Sequence, residues 1–152
     1  MTQVYLVQHG KATSEAENPA CPLTEVGRYE VQWVATSVAK LDINVSTIYH
    51  SGKLRAKETA ELFARELAPA SVEEVEGLAP LDDPAAAKAL IEQTEQPVML
   101  VGHLPHLSKL VSALAGTEHE VVMFQMGGVV ALVKGESGWQ VAWMITPEIV
   151  RG

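Results

Sequence analysis

The sequence has little of several residue types, and each shortage excludes a class of protein. Only one of its 152 residues, Cys21, is a cysteine, which excludes an internal disulfide and favours a reducing compartment. No stretch approaches the roughly 20 apolar residues of a membrane-spanning helix, and residues 1–3 lead straight into a predicted strand rather than a signal peptide. We therefore expect a cytoplasmic protein without a membrane partner.

Positive charge is also scarce. The chain has 11 Lys and Arg against 19 Asp and Glu, a formal net charge of −8, which argues against a nucleic acid or an anionic membrane as partner. A phosphorylated substrate is not excluded, because a pocket needs only local positive potential. A length of 152 residues with 47% hydrophobic residues fits a single globular domain spanning residues 1–152.

Short apolar runs alternate with helical patterns along the chain. This alternation predicts an α/β fold of three layers, in which helices flank a mostly parallel central sheet. The run at 98–101 is the most hydrophobic and is predicted to be central, whereas 72–75 is predicted to be an edge strand. The predicted strands are Val4–Val7, Val45–Tyr49, Val72–Val75, Val98–Val101, Val121–Phe124, Val129–Val133 and Trp139–Ile145. The predicted helices begin near Thr24, Lys53, Pro84 and Pro105.

The last predicted strand carries two tryptophans. Trp139 and Trp143 alternate with polar or small residues, and the period of two places them on one face together with Val141 and Ile145. We expect both to pack in the core.

Two of the buried runs end in a histidine. His9 follows the first run and His103 follows the run at 98–101, while a third strand leads into a turn that contains Ser51 and Arg55 and opens a helix. Loops at the carboxyl ends of parallel strands form the ligand crevice of an open α/β sheet. The pattern therefore predicts that these side chains meet at one site.

Four segments resemble motifs of the histidine phosphatase (phosphoglycerate-mutase-like) superfamily, and within it the SixA-type phosphohistidine phosphatases. They are Gln8-His9-Gly10, Leu23-Thr24-Glu25-Val26-Gly27-Arg28, the stretch from Ser51 to Thr59, and Gly102-His103-Leu104-Pro105. The resemblance spans nearly the whole chain and implies the phosphoglycerate-mutase-like fold. The chain departs from the family at one motif position, where Gln8 stands in place of an arginine.

The resemblance also implies roles for particular residues. His9 is implied to be the nucleophile that carries the phosphoryl group, with Arg55 and His103 as the other catalytic residues. The implied phosphate-binding residues are Gln8, Gly10, Ser51, Arg55 and His103. Nearby cations that could raise the local potential are Lys11, Lys53 and Lys57. We expect no cofactor and no metal, because His103 and His106 have no Cys or carboxylate cluster to complete a ligand set.

A general acid is less clearly indicated. Larger phosphomonoesterases of the superfamily carry a glutamate after the third strand, and here Glu76, Asp82 and Asp83 are unranked candidates. An N-phosphorylated imidazole leaves more readily than an alkoxide and demands less of such an acid. The short chain also lacks room for an inserted lid. Both points favour a phosphohistidine on the surface of a signalling or phosphotransfer protein as the substrate.

Two alternatives stay open at this stage. One is a phosphomonoesterase of the same fold that acts on a small phosphorylated molecule. The other is a pseudo-phosphatase that binds phosphate or phosphoprotein with little turnover, and Gln8 is its main support, because glutamine lacks the charge and the bidentate geometry of arginine.

Overall fold

The computed structural model describes residues 2–151 and shows a six-stranded sheet with helices on both faces. In chain order the elements are β1 (Gln3–Gln8), α1 (Glu25–Ala39), β2 (Thr47–His50), α2 (Leu54–Leu67), β3 (Ser71–Glu74), α3 (Ala85–Gln93), β4 (Val98–Gly102), α4 (His106–Ala115), β5 (Val129–Gly135), β6 (Gly138–Ile145) and α5 (Pro147–Val150). The strand order is β3-β2-β4-β1-β5-β6. The first four of these are parallel, and β5 and β6 extend the sheet in antiparallel fashion.

The position of each strand follows from its composition. All five residues of β4 are buried, as expected for a strand covered on both faces, and β4 pairs with β1 on one side and β2 on the other. The largely exposed β3 forms one edge of the sheet. The predictions of a central strand at 98–101 and an edge strand near 72–75 are both confirmed.

Two apolar clusters lie on opposite faces of the sheet and define three layers. One contains Val31 and Val34 of α1 with Phe63 of α2, and the other contains Ile91 of α3 with Leu107 of α4. The predicted α/β/α architecture is therefore confirmed. Within residues 2–151, the helices are too short or too polar to cross a bilayer.

The predicted strand at Val121–Phe124 is wrong. These residues are irregular and contribute no strand to the sheet, and only Met126, just beyond them, forms an isolated bridge with Gln8 at the end of β1. Phe124 alone is buried, whereas Met123 is 80% exposed. The apolar pattern there reflects a single anchoring contact rather than a strand.

The prediction that Trp139 and Trp143 share a face is also wrong. The pairing of β5 with β6 shifts register between Ala131 and Leu132, which pair with Trp143 and Val141. The extra residue of this β-bulge reverses the alternation of side chains. Trp139 consequently packs with the α3 and α4 cluster, and Trp143 packs against the opposite cluster beside Tyr5.

Candidate active site

The carboxyl ends of the neighbouring strands β1, β2 and β4 bring three predicted residues together. His9 follows β1, Ser51 follows β2 and His103 follows β4. The centroids of the two imidazole rings are 5.0 Å apart, and Ser51 Oγ lies 2.7 Å from His103 Nε2. Parallel strands end at the same edge of a sheet, so the fold itself produces this meeting.

Two hydrogen bonds fix the orientation of His9. Its backbone N–H donates to the carbonyl of Gly102 at 3.1 Å, and its ring Nδ1 lies 2.7 Å from the carbonyl oxygen of Gly10. A carbonyl oxygen only accepts, so Nδ1 carries the proton and Nε2 keeps its lone pair. The arrangement holds one tautomer of the ring, with Nε2 as the nitrogen available for bonding to an electrophile.

His9 opens into a cavity of about 520 Å³ that also contains two cationic side chains, Lys53 and Arg55. Arg55 lies in the first turn of α2, where unpaired backbone N–H groups and the helix dipole favour an anion. The polar loop after β1 forms another wall, with Thr13 and Ser14 among its lining residues. The cavity therefore combines a nucleophilic nitrogen with positive charge, which suits a phosphoryl group.

The structure separates the candidate cations. Lys11 Nζ forms an ion pair with Glu30 Oε2 at 3.2 Å and lines a different cavity. Lys57 is exposed on α2 and is not among the residues around His9. Among the three lysines considered, Lys53 is the one that lines the His9 cavity.

Unlike Arg55, Gln8 and Gly10 do not line the His9 cavity. Gln8 ends β1, does not line the His9 cavity, and has its side-chain oxygen buried without a hydrogen-bond donor among the described residues. Gly10 is buried, its N–H donates to Thr59 Oγ1 at 3.0 Å, and its carbonyl accepts from His9. Both polar backbone groups of Gly10 are thus engaged inside the protein.

Both histidines are neutral at pH 7. Burial, with smaller contributions from the neighbouring His9 and Arg55, lowers the pKa of His103 to about 3. Burial also lowers the pKa of His9, against the opposing effect of its hydrogen bond to Gly10. A neutral imidazole retains the lone pair that attack on phosphorus requires.

A second cavity, of about 650 Å³, lies beside the first and shares the loop after β2, where Ser51 forms part of its wall. It brings together the three carboxylates that the sequence left unranked, Glu76, Asp82 and Asp83. Asp82 accepts a hydrogen bond from the backbone N–H of Ala79, and Asp83 accepts one from that of Ala85. For Glu76 the structure of residues 2–151 contains no such bond.

One functional connection was not predicted from the sequence. Glu58 on α2 accepts hydrogen bonds from the backbone N–H of Leu23 and from the guanidinium of Arg28. It thereby ties the end of the loop after β1 to the helix that carries Arg55. A glutamate three residues after the motif arginine offers no local pattern that would reveal this role, because its partners lie in another segment of the chain.

The remaining histidines lie away from the His9 cavity. His106 is fully buried on α4, and His50 is buried with its Nδ1 accepting from the N–H of Gly52. Between residues 2 and 151, His, Cys, Asp and Glu side chains form no group of three or more that could hold a metal ion.

Comparisons with known proteins agree with this geometry. The family model of the histidine phosphatase superfamily (branch 1) matches residues 4–82. An uncharacterized protein of Picosynechococcus sp. is 32% identical over 142 residues, which are 88% of this chain and 86% of that protein.

Solved structures are similar over almost the full chain. The protein histidine phosphatase SixA complexed with tungstate superposes with a TM-score of 0.85 at 26% identity, over 97% of this chain and 99% of that one. A SixA protein from Agrobacterium tumefaciens superposes with a TM-score of 0.80 at 24% identity, over 96% and 98% of the two chains, which is a likeness of fold. The predicted phosphoglycerate-mutase-like fold is confirmed.

Proposed function

The chain belongs to branch 1 of the histidine phosphatase superfamily, and we propose that it removes the phosphoryl group from a phosphohistidine on another protein. One observation carries the proposal: the bond from Nδ1 of His9 to Gly10 leaves Nε2 free in a cavity lined by Lys53 and Arg55. The family membership supports phosphatase activity. The substrate and the roles of the residues are our inference.

The proposed reaction has two displacements at phosphorus. In the first, Nε2 of His9 forms a bond to phosphorus while the P–N bond of the substrate breaks, and the released imidazole nitrogen takes up a proton. In the second, a water oxygen bonds to phosphorus, the bond to His9 breaks, and inorganic phosphate leaves. Capture of the phosphoryl group on His9 divides one difficult displacement into two easier ones.

Charge stabilisation in this mechanism falls to Arg55 and Lys53. Phosphoryl transfer places negative charge on three equatorial oxygens, and preorganised cations and helix N-terminal amides stabilise that charge. Lys53 immediately precedes α2, whose first turn contains Arg55. We assign to Lys53 part of the positive charge that Gln8 does not supply, which favours an active enzyme over a pseudo-phosphatase.

Glu76 is the carboxylate we assign to leaving-group protonation. Asp82 and Asp83 each have one oxygen that already accepts a hydrogen bond from a backbone N–H, whereas Glu76 has no such bond within residues 2–151. Glu76 faces the same cavity as Ser51, whose hydroxyl contacts His103. A carboxyl group with freedom to turn toward the leaving group is the better proton donor.

The surroundings of the two cavities favour a protein substrate over a small metabolite. Met126, which lines the His9 cavity, is 40% exposed, and two apolar side chains next in sequence to site residues are also exposed: Leu81, before Asp82, at 86% and Leu104, after His103, at 38%. Exposed apolar side chains around a catalytic cleft are typical of a surface that contacts another protein. The connection from β4 to α4 spans only residues 103–105, so it contains no inserted lid that would close over a small metabolite.

Phosphate release from two substrates tests the proposal. Two substrates, a histidine-phosphorylated phosphotransfer domain and p-nitrophenyl phosphate, are supplied at equal concentrations of phosphoryl groups to the wild-type protein and to His9→Ala. We expect faster release from the phosphohistidine and loss of both activities in His9→Ala, with His119→Ala, at an exposed loop position, unaffected. A preference for the aryl ester would favour a small-molecule phosphomonoesterase. Inactivity on both, with retained binding of the phosphoprotein, would favour a binding module.

A further inference from the structure

Thr59 links the two sides of the proposed site through its hydroxyl. It lies on α2 one turn after Arg55 and is completely buried. Its Oγ1 donates to the carbonyl of Arg55 at 2.8 Å and accepts from the backbone N–H of Gly10 at 3.0 Å. The single hydroxyl proton and an oxygen lone pair are therefore both used, which sets the orientation of the side chain.

The chain of hydrogen bonds continues to the nucleophile. The N–H that Thr59 binds belongs to the peptide unit between His9 and Gly10, and the carbonyl of Gly10 accepts from Nδ1 of His9 at 2.7 Å. The carbonyl of Gly10 belongs to the next peptide unit, so the hydrogen bond from Thr59 holds the amide that immediately precedes it. The partner that selects the tautomer of His9 is thus held from a helix distant in sequence.

The apolar packing around Gly10 offers its backbone N–H no hydrogen-bond acceptor. A Cβ at Gly10 would lie 2.7 Å from Val31 Cγ2 and 3.3 Å from the carbonyl of Gly27, so the chain is closely enclosed there. Water does not reach this buried N–H, and buried backbone N–H groups are almost always paired. The hydroxyl of Thr59 supplies the pairing that the surrounding apolar contacts cannot supply.

We infer that Thr59 is a positioning residue that holds His9 in its reactive tautomer through Gly10 while anchoring the helix turn that carries Arg55. The inference rests on the proposed function, because it assumes that Nε2 of His9 is the nucleophile. Thr59 does not contact the phosphoryl group in this scheme. Its effect is transmitted through two backbone groups.

Thr59→Val tests the inference because it keeps the shape and removes the hydroxyl. We expect kcat to fall by about tenfold to a hundredfold, as small misplacements of reacting groups typically do, with a smaller change in KM. Thr59→Ser retains the hydroxyl and is expected to stay within about threefold of wild type. Thr36→Val removes a hydroxyl that Gln32 contacts on α1, away from the site, and serves as the matched control.

Two further measurements separate positioning from simple support of the fold. Nitrogen NMR of the histidine rings should show His9 protonated at Nδ1 in wild type and a mixture of tautomers in Thr59→Val. The hydrogen bond to Gly10 raises the pKa of His9, so its weakening should move the acid limb of kcat/KM to lower pH. Thr59→Ser should restore both signals.

Several outcomes would overturn the inference. One is a Thr59→Val variant with the kcat and the His9 tautomer of wild type. Another is a Thr59→Ser variant as impaired as Thr59→Val, which would indicate a packing role for the methyl group. If Thr59→Val does not fold, Thr59→Cys takes its place, since a thiol of similar size is a weak hydrogen-bonding group. If wild type releases no phosphate, the proposed function fails, whereas the NMR comparison still decides whether Thr59 controls the tautomer.

Discussion

The imidazole rings of His9 and His103 lie side by side, with centroids 5.0 Å apart and planes inclined at 50°. The two rings differ in their surroundings. Nδ1 of His9 is hydrogen-bonded to a carbonyl and its ring opens into a cavity, whereas His103 is only 1% exposed and its Nε2 is engaged by Ser51. This asymmetry supports our proposal that His9 is the nucleophile and that His103 has a supporting role.

Covalent trapping should therefore label His9. Brief incubation with a 32P-labelled phosphohistidine protein, followed by denaturation at alkaline pH, should yield acid-labile label that maps to the peptide containing His9. His9→Ala should abolish the label, because His9 lines the cavity whereas His103 is buried beside it. Label recovered on His103 would instead reverse the two roles.

Gln8→Arg should increase the phosphatase rate by at least roughly tenfold. This bound is low, since single preorganised donors at developing negative charge are typically worth about 10²–10³. Gln8→Met, which removes the amide without adding charge, is the matched control and should leave the rate close to wild type, because Gln8 does not line the His9 cavity. No gain in Gln8→Arg, with an active wild type, would indicate that another cation already fills the role.

Lys53→Met should lower kcat by about 10²–10³ if Lys53 supplies that charge. Lys57→Met is the matched control, because Lys57 lies four residues later, is exposed on α2 and does not line the His9 cavity. Steady-state kinetics with the phosphohistidine protein measures both. Equal losses in the two variants would point to general electrostatic attraction of the substrate rather than to a contact by Lys53.

Glu76→Gln should have an effect that depends on the leaving group. A general acid contributes about 10²–10⁴ to the departure of a poor leaving group. Hydrolysis of phenyl phosphate should therefore fall by that amount, whereas hydrolysis of phosphohistidine should change far less. Asp82→Asn and Asp83→Asn are parallel controls, and a larger leaving-group effect in either would transfer the role from Glu76.

Stability should fall on acidification below about pH 6.5. Because burial lowers the pKa of His103 to about 3, the unfolded chain binds a proton there that the folded chain does not. This loss of stability is absent well above pH 6.5 and grows as pH falls toward 3, reaching on the order of 1 kcal/mol at pH 5.5. Urea unfolding at pH 7.5 and 5.5 should show a smaller loss in His103→Gln than in wild type.

The control for that measurement is His119→Gln, at an exposed position in the loop after α4. It removes a histidine without removing a buried one, and it should keep the wild-type difference between the two pH values. An unchanged difference in His103→Gln would mean that the ring of His103 is protonated in the folded protein, contrary to its burial.

Much of the architecture could be predicted because its signals are local. Continuous apolar runs marked β1 and β4, and Thr24 marked the start of α1, where its hydroxyl accepts from Gly27 N–H. The errors arose where tertiary contacts override local pattern. The run at 121–124 found no place in the sheet, and the β-bulge in the pairing of β5 and β6 placed Trp139 and Trp143 on opposite faces.

The sequence by itself determined the α/β class, the strand ends that carry His9 and His103, and the missing arginine at Gln8. These follow from residue type and spacing along the chain. Only the tertiary structure decided which nitrogen of His9 is free, that Lys53 rather than Lys11 lines its cavity, and that Thr59 holds Gly10. Those relationships join residues far apart in sequence, and side-chain hydrogen bonds depend on angstrom-scale placement that emerges only when strands and helices pack together.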